Sequence, residues 1–579
     1  MRVDPPTQAT RDARGFADVW WRGKFAWEYK RKDKHRDLTE AYRQLCQYRE
    51  ALENPPLLIV SDIARIEIHT NFTGTRKDVH VLALAELDQP ENLDKLRRVF
   101  IDPKSFEPTL TAATITEAAA TEFARIAQAL RDRRHDPHTA AHFLMKCMFC
   151  LFAEDVGLLP EKLLTRLLER YQYQPEKLTA RLTELFALMR TGGDFGTEPI
   201  AYFNGGLFDE RPVAPASLPA RTAGFQPATP ASCGQALELR AGEIGAMLRA
   251  AQHDWGAVEP AIFGTLFERS LDPSKRAQIG AHSTSRDDIM LIVEPVIMAP
   301  LRREWQAVQA EIEKLLAQRR KAETKPAKKK ADDAIAKAIE KFLDRLASIR
   351  VLDPACGSGN FLYVAIQQLL DLEKEVITFA ARPDVGLGVF PRVRPTQLHG
   401  IEINAYAAEL AQVVVWIGYL QWMRDNGFVP PRDPILAPLQ TIECRDAILD
   451  YLPQGEGRGE GAGRNATPVP AQWPDADFII GNPPFLGTKM LRGGLGDEYV
   501  EALFATYDGR IPGFSDLCCY WFELAREAIE RKPDTRGGLL ATQAIRNDAA
   551  RVVLERIKRT GDIFMAWSDR EWVLEGAHV

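Results

Sequence analysis

The chain has little that would staple it, anchor it or advertise a polyanionic partner. Its eight cysteines among 579 residues have neither paired zinc-ligand spacing nor the density of a disulfide framework. That excludes a small cross-linked scaffold and suits a reducing, cytoplasmic setting. No apolar run approaches the length of a membrane span. The N-terminus is charged from Arg2 and Asp4 onward and has no signal-peptide core, so no membrane partner is expected. Basic residues are not in excess either. The net charge is −6 and the sequence pI is near 6.0, so any nucleic-acid contact must come from local basic patches. What remains is an ordinary globular composition, 45% hydrophobic and 27% charged. The length exceeds what one core can serve and predicts two to four domains.

The chain is organised around VLDPACGSGNF, Val351–Phe361. An apolar run (Ile349, Val351, Leu352) ends in Asp353. A turn of Pro354, Gly357, Ser358 and Gly359 follows, then an apolar-periodic helix from Phe361 to about Leu372. Strand, glycine loop and helix start bring backbone N–H groups up to a ligand, and glycine permits that approach because it lacks a Cβ.

Toward the N-terminus, Phe16–Trp21 and Phe25–Lys30 read as strands joined by Arg22, Gly23 and Lys24. Glu28 and Lys30, two apart, share one face of a strand, and Asp18 lies near the start of the preceding one. Two carboxylates suit a hard Mg²⁺, and a lysine can stabilise an anionic transition state. A solvated charged hairpin is the alternative. A helix over about Leu38–Leu52, containing Gln44 and Tyr48, and a buried strand, Leu57–Asp62, come next. That order resembles the PD-(D/E)xK nuclease core, and the basic run Lys30–Arg36 beside it would meet phosphates or form a solvated edge.

From about Ile115 to Arg190 the apolar spacing is helical. His135, His138, His142, Cys147 and Cys150 fall within this stretch, but the cysteines sit in a very apolar helix with no second pair and read as core. Arg211–Gln235, rich in Pro, Ala, Ser and Thr, reads as a disordered insertion. Helical pattern resumes over Ala236–Ala251 and again from Arg286 to about Pro300. Arg302–Ala347 reads as a long charged helix or helix pair, with Lys325–Lys330 as a solvated linker.

Beyond the glycine loop, Gln397–Ile403 is predicted to be a strand that delivers Glu402, an acid suited to ribose hydroxyls. The Gly/Pro-rich segment Ala380–Pro395 accounts for its distance from Asp353. Thr441–Cys444 is a third candidate strand. It places Asp446 either against an adenine amino group or as a helix N-cap. Gly455–Pro470 reads as a loop, and Phe478–Ile480 as a short buried strand running into Asn482, Pro483, Pro484 and Phe485. The Asn482 side-chain oxygen and the Pro483 carbonyl can accept from an exocyclic amino group. The two prolines preorganise the loop, and Phe485 offers a face for a flipped base.

Together DPACGSGNF, GIEIN, the Asp446 segment and NPPF resemble the S-adenosylmethionine-dependent amino-group DNA methyltransferases of the adenine-N6 class. GAHSTS at Gly280–Ser285 resembles their GxHYT segment, with Ser283 where tyrosine is usual. With Asp18, Glu28 and Lys30, the whole resembles the MmeI-type (type IIL) single-chain restriction–modification enzymes. The resemblance implies a multidomain α/β protein: a PD-(D/E)xK-like nuclease domain over 1–125, a helical spacer over 126–255 and a Rossmann-like class I methyltransferase domain over 256–579.

It further implies S-adenosylmethionine held by Thr284, Asp353, Ala355, Cys356, Gly357, Gly359, Asn360, Phe361, Glu402, Ile403, Asp446 and Ala447. Methyl transfer would occur at Asn482, Pro483, Pro484 and Phe485, and Mg²⁺ would sit on Asp18 and Glu28 beside Lys30. The partner it implies is double-stranded DNA with a flipped adenine. Leu539–Thr542 and Ile563–Trp567 read as late sheet strands. The family continues into a target-recognition domain, so a truncated chain is expected, with that domain separate or missing. A methyltransferase without nuclease activity, an RNA or protein methyltransferase, and a silent binding fragment are the rival expectations.

Overall fold

The computed structural model describes residues 17–30, 38–203, 207–208, 236–260, 284–429, 439–452, 467–568, 573–574 and 577–578. The proposed insertion over 211–235, most of Lys30–Arg36 and residues 280–283 of GAHSTS lie outside the described residues.

Strands β1 (Val19–Trp21), β2 (Phe25–Tyr29), β3 (Leu57–Ser61), β4 (Arg65–Thr70) and β5 (Val79–Ala83) form one sheet in that order. The β1–β2 turn closes with Lys24 N donating to Trp21 O at 2.9 Å, and Gly23 supplies the left-handed φ of +68° that the turn requires. β2 and β3 run parallel, as a crossover through the Thr39–Tyr48 helix demands. The other three pairs are antiparallel. Leu57–Val60 are buried on both sheet faces, one packed against Leu45 and Cys46 of the helix, the other against Phe25, Ile68 and Phe106.

The stretch from about Ile115 to Arg190 is helical as its spacing predicts: Ala112–Asp132, Pro137–Asp155, Leu163–Tyr171 and Pro175–Thr191, followed by a hairpin of β6 (Gly193–Phe195) and β7 (Glu198–Ile200). The Pro137–Asp155 helix is buried along most of its length. Cys147 and Cys150 lie in its core, and His142 is held neutral by burial, its pKa pushed down to about 3, with Nε2 2.9 Å from Leu207 O. Among the described residues no cluster of His, Cys, Asp and Glu is arranged to hold a metal. The spacer shares one continuous apolar core with the helices that cover the second sheet.

That sheet has the order β10–β9–β8–β13–β14, all parallel: β8 (Val351–Asp353), β9 (Leu398–Glu402), β10 (Ile442–Cys444), β13 (Phe478–Gly481) and β14 (Arg536–Leu539). The chain moves outward from β8 to β10, then returns to β13 on the other side of β8. The C-terminal ends of β8 and β13 therefore flank a topological switch point, where open α/β sheets bind ligands. The Asn360–Ala380 and Ala405–Asp425 helices cover the sheet and cross closely at Gly418, where any Cβ would strike the Tyr363 ring.

Four expectations need correction. Lys325–Lys330 is not a linker: it opens the Lys325–Ser348 helix, whose cap Thr324 accepts from Ala327 N at 3.4 Å. Residues 467–470 are not loop but β12 (Thr467–Pro470), antiparallel to β11 (Leu449–Leu452). The strand expected at Leu539–Thr542 forms earlier, at Arg536–Leu539, because pairing with Phe478–Gly481 sets its register. Ile563–Trp567 forms no strand; Ile563, Phe564, Met565 and Trp567 are exposed, without strand partners among the described residues.

Candidate active site

Asp353 closes β8 and is buried. Its Oδ1 accepts from Ala355 N at 3.1 Å, while Oδ2 is buried with no hydrogen-bond partner among the described residues. Burial raises its pKa to about 8, the Ala355 bond opposes the rise and the nearby Glu402 adds to it. The neighbouring strand makes room for this carboxylate: a Cβ on Gly481 would lie 2.5 Å from Asp353 Oδ1. The loop turns through Gly357 (φ +50°) and Gly359 (φ +85°), and a Cβ on Gly359 would sit 2.9 Å from the Ala411 backbone. Gly359 N donates to Cys356 O at 2.7 Å, and Cys356 N to Ile401 O at 3.1 Å. The Cys356 thiol is buried and its pKa is pushed well up by desolvation, so it stays neutral rather than acting as a nucleophile. Asn360 and Phe361 open the following helix and are buried; Ala355 is half-buried.

Glu402 ends β9. Its Oε2 accepts from Gly357 N at 3.0 Å and its Oε1 from Asn404 N at 2.8 Å, so this carboxylate ties the glycine loop to β9 and retains lone pairs for a ligand. Beside it Ile403 is 44% exposed. Asp446 follows β10. It caps no helix, because β11 comes next: Oδ1 accepts from Ile448 N (2.8 Å) and Leu449 N (3.1 Å), and Oδ2 from Tyr499 OH (2.7 Å). Its neighbour Ala447 is buried, with its carbonyl bound by Trp473 Nε1 at 2.8 Å.

Asn482 leaves the end of β13. Its Nδ2 donates to the buried Thr284 Oγ1 at 3.2 Å, and its Oδ1 is buried without a partner among the described residues. Pro483 is buried; Pro484 and Phe485 are half-buried, with the Phe485 ring against the cluster of Leu486, Leu491 and Leu503. Two acceptors, Asp353 Oδ2 and Asn482 Oδ1, are thus left unfilled at adjacent strand ends. Unfilled buried acceptors cost about 1–3 kcal/mol each, which suits a site completed by donors from a ligand.

Asp516 was not singled out in the sequence. Its Oδ1 accepts from Leu486 N at 3.3 Å and Cys518 N at 3.2 Å, and its Oδ2 from Thr542 Oγ1 at 3.3 Å. It anchors the exit of the Asn482 loop to the start of the Cys518–Arg531 helix. The cue was present as Ser515-Asp516 ahead of an apolar-periodic run, a helix-start signature. Trp521 Nε1 likewise braces Pro354 O at 2.8 Å.

At the other site, Asp18 N donates to Glu28 Oε2 at 3.2 Å, and Tyr29 N to Asp18 Oδ2 at 2.9 Å. Lys30 Nζ reaches Glu28 Oε1 at 2.6 Å and Gln44 Oε1 at 3.2 Å. The pKa of Glu28 is raised, first by burial and also by the charge of Asp18, with Lys30 opposing. Asp18, Glu28 and Lys30 therefore do converge on one point of the first sheet, with Gln44 from the adjoining helix.

The family model described as "MmeI, DNA-methyltransferase domain" matches residues 325–578, and "MmeI, helicase spacer domain" matches 138–208. The chain is MmeI-like. It is 27% identical over 387 residues to "DNA methyltransferase A" of Bacillus subtilis (strain 168), spanning 64% of this chain and 37% of that protein. The solved type IIL restriction–modification enzyme MmeI in complex with DNA has a similar fold, with a TM-score of 0.53 at 22% identity over 76% of this chain and 52% of that one. The MmeI-like chain thus spans about a third to a half of the length of these relatives. It is a multidomain α/β protein with a DNA-methyltransferase domain and a spacer.

Proposed function

We propose that this MmeI-like chain transfers a methyl group from S-adenosylmethionine to adenine N6 in double-stranded DNA, in the cytoplasm. The carrying observation is the unfilled Asn482 Oδ1, buried beside the unfilled Asp353 Oδ2 at a sheet switch point. S-adenosylmethionine fits here, because the orphan Asp353 oxygen would receive its ammonium group. Ala355, Cys356, Gly357, Gly359, Asn360 and Phe361 would wall its methionine end, Glu402 and Ile403 its ribose and base. Ala447 would line the base end, and Asp446, already bonded through both oxygens, would hold that turn and share a lone pair. Bound, the cofactor supplies a methyl group on a sulfonium centre.

The chain's own residues do the rest. Asn482 Oδ1 and the Pro483 carbonyl accept the two N–H bonds of the exocyclic amine and aim its lone pair. Pro484 stiffens the loop, Phe485 stacks on the flipped base, and Thr284 orients the Asn482 amide. Methyl transfer would form the N–C bond at the expense of the cofactor's S–C bond, and the amine's proton would leave to solvent.

For the N-terminal region, over 1–125, we propose a Mg²⁺-dependent nuclease. A dication held by Asp18 and Glu28 would offset the burial and the Asp18 charge that raise Glu28, and Lys30 would offset charge on the cleaved phosphate. The spacer would cover 126–255 and the methyltransferase 256–579.

Purified protein given radiolabelled cofactor should label DNA over RNA or protein. Asn482→Ala should cut that labelling by roughly 100-fold or more, a loss on the order of an oxyanion-hole donor. Asp18→Ala and Lys30→Ala should abolish magnesium-dependent cleavage and leave methylation intact. Equal labelling by the Asn482 variant would overturn the methyltransferase assignment.

A further inference from the structure

The Asp548–Thr560 helix carries a charged stripe that neither candidate site uses. Arg551, Glu555, Lys558 and Arg559 stand at i, i+4, i+7 and i+8, hence on one exposed face. The opposite face, Ala550 and Val553, is buried in the same cluster as Leu486 and Ile545. Together with Arg546 and Leu554 the stripe lines an open cavity of about 500 Å³. Four cations and one carboxylate face it, in a chain whose net charge is −6.

Among the described residues, Arg551, Lys558 and Arg559 make no contact that holds the helix to the core. Arg556, off the stripe, holds the helix down through Glu523 at 2.8 and 3.1 Å. Lys558 and Arg559 lie in the last helical turn, where the dipole favours positive charge. Arg551 lies in the first turn and Arg546 just before the helix, where it does not. Their visible partners are exchangeable: Arg551 pairs with Glu555 at 3.2 Å and Lys558 with Asp562 at 2.7 Å, both exposed i,i+4 contacts, and Arg559 Nε donates to Glu555 O at 3.4 Å.

The segment that leads into this helix is tied to the Asn482 loop. Thr542, one residue before the Gln543–Arg546 turn, shares the Asp516 carboxylate with Leu486 N. We propose that Arg546, Arg551, Lys558 and Arg559 form a cradle for the DNA phosphodiester backbone beside the base held by the Asn482 loop. This rests on DNA being the substrate of that loop. Phosphate would replace Glu555 and Asp562 on Arg551 and Lys558, fixing the duplex against the crevice without reading its sequence.

The test is binding of this chain to a fluorescent duplex across a salt series. Arg551→Gln and Arg559→Gln should each lower the slope of log affinity against log salt by about one, the mark of one lost phosphate contact. The reversal Arg551→Glu with Arg559→Glu should weaken binding by roughly 10-fold or more at about 0.1 M salt. The thermal midpoint and calorimetric S-adenosylmethionine affinity of each variant should match the parent protein. A folded reversal variant with unchanged affinity and slope, or a parent protein that does not bind duplex, overturns the cradle. If the variants keep full DNA affinity while the parent methylates DNA, the cradle fails and the methyltransferase reading stands. If the slope falls as expected but methyl goes only to RNA or protein, the stripe binds duplex, the DNA-methylation reading fails, and the cradle's place beside a held base fails with it.

Discussion

At the scale of single residues, Asp353 concentrates the chemistry of the crevice. Its pKa is raised to about 8, mainly by burial, from an ordinary 3.8, so at neutral pH and without a cationic ligand Asp353 is a protonated acid. The unfolded chain would ionise it above 3.8. Between pH 5 and pH 8 the folded state therefore binds one more proton, and stability falls as pH rises, at up to about 1.4 kcal/mol per pH unit. Asp353→Asn keeps the acceptor for Ala355 N and cannot ionise. Its thermal midpoint should gain on the parent protein steadily from pH 5 to pH 8 and level off above. Parallel midpoints across that range would mean that Asp353 is not protonated. A cationic ligand reverses the preference, so S-adenosylmethionine binding at pH 7 should release a proton. Calorimetry in buffers of different ionisation enthalpy would detect it.

At the scale of elements, the strands at the ligand crevice were legible because each is a short apolar run closed by a punctuating residue. Asp353, Glu402 and Gly481 mark those ends in the sequence as they do in the fold. The partners of those ends were not legible. Asp516 reaches Leu486 across 30 residues and Trp521 reaches Pro354 across 167, and no local period encodes such pairings. β4 and β5 went unread for a related reason: Val79 and Val81 are exposed on an edge strand, so little apolar contrast marked it. The misjudged lysine run shows the opposite error, since a solvated face was taken for a break in helix. Its helix is held from the other side, where Trp305 stacks on Phe342 at 5.1 Å and Trp305 Nε1 donates to Glu375 at 3.0 Å. Trp305→Ala should cost about 3–5 kcal/mol, as buried tryptophan truncations do. The exposed Lys328→Ala and Lys329→Ala should stay within about 0.5 kcal/mol. Denaturant unfolding compares them directly, and similar losses would put the lysines, not the tryptophan, in charge of the helix pair.

At the scale of the whole molecule, the two candidate sites are joined through a polar junction rather than an apolar one. Lys374, buried on the helix that begins at the glycine loop, donates to Cys46 O and Asn426 Oδ1, both at 2.8 Å, and pairs with Glu50 at 2.5 Å. Arg49 adds bonds to Asp425 O at 3.0 Å and Asn426 Oδ1 at 3.1 Å, and Gln47 one to Gly427 O at 2.8 Å. The Thr39–Tyr48 helix that docks here also carries Gln44, the partner of Lys30, so the Asp18, Glu28 and Lys30 cluster sits one helix away from the helix that begins at the glycine loop. Burial lowers the pKa of Lys374 from 10.5 to about 8, with Glu50 opposing the fall. Between pH 8 and 10.5 the unfolded chain holds this proton while the folded chain sheds it. Stability contributed at the junction therefore rises with pH across that window, by at most about 1.4 kcal/mol per unit. Lys374→Met removes the titrating group. Asn426 and Glu50 keep Arg49, and the Cys46 carbonyl alone is left unfilled, at a cost of about 1–3 kcal/mol. Near pH 7.5 that cost is partly offset by relief of the buried charge, so the variant should differ little from the parent protein. By pH 9.5 the parent should have pulled ahead by about 2 kcal/mol, and the variant's N-terminal region should be clipped from the rest first in limited proteolysis. Thermal unfolding at pH 7.5, 8.5 and 9.5 checks this, and a constant gap between the two proteins would show that Lys374 stays charged and the junction does not titrate.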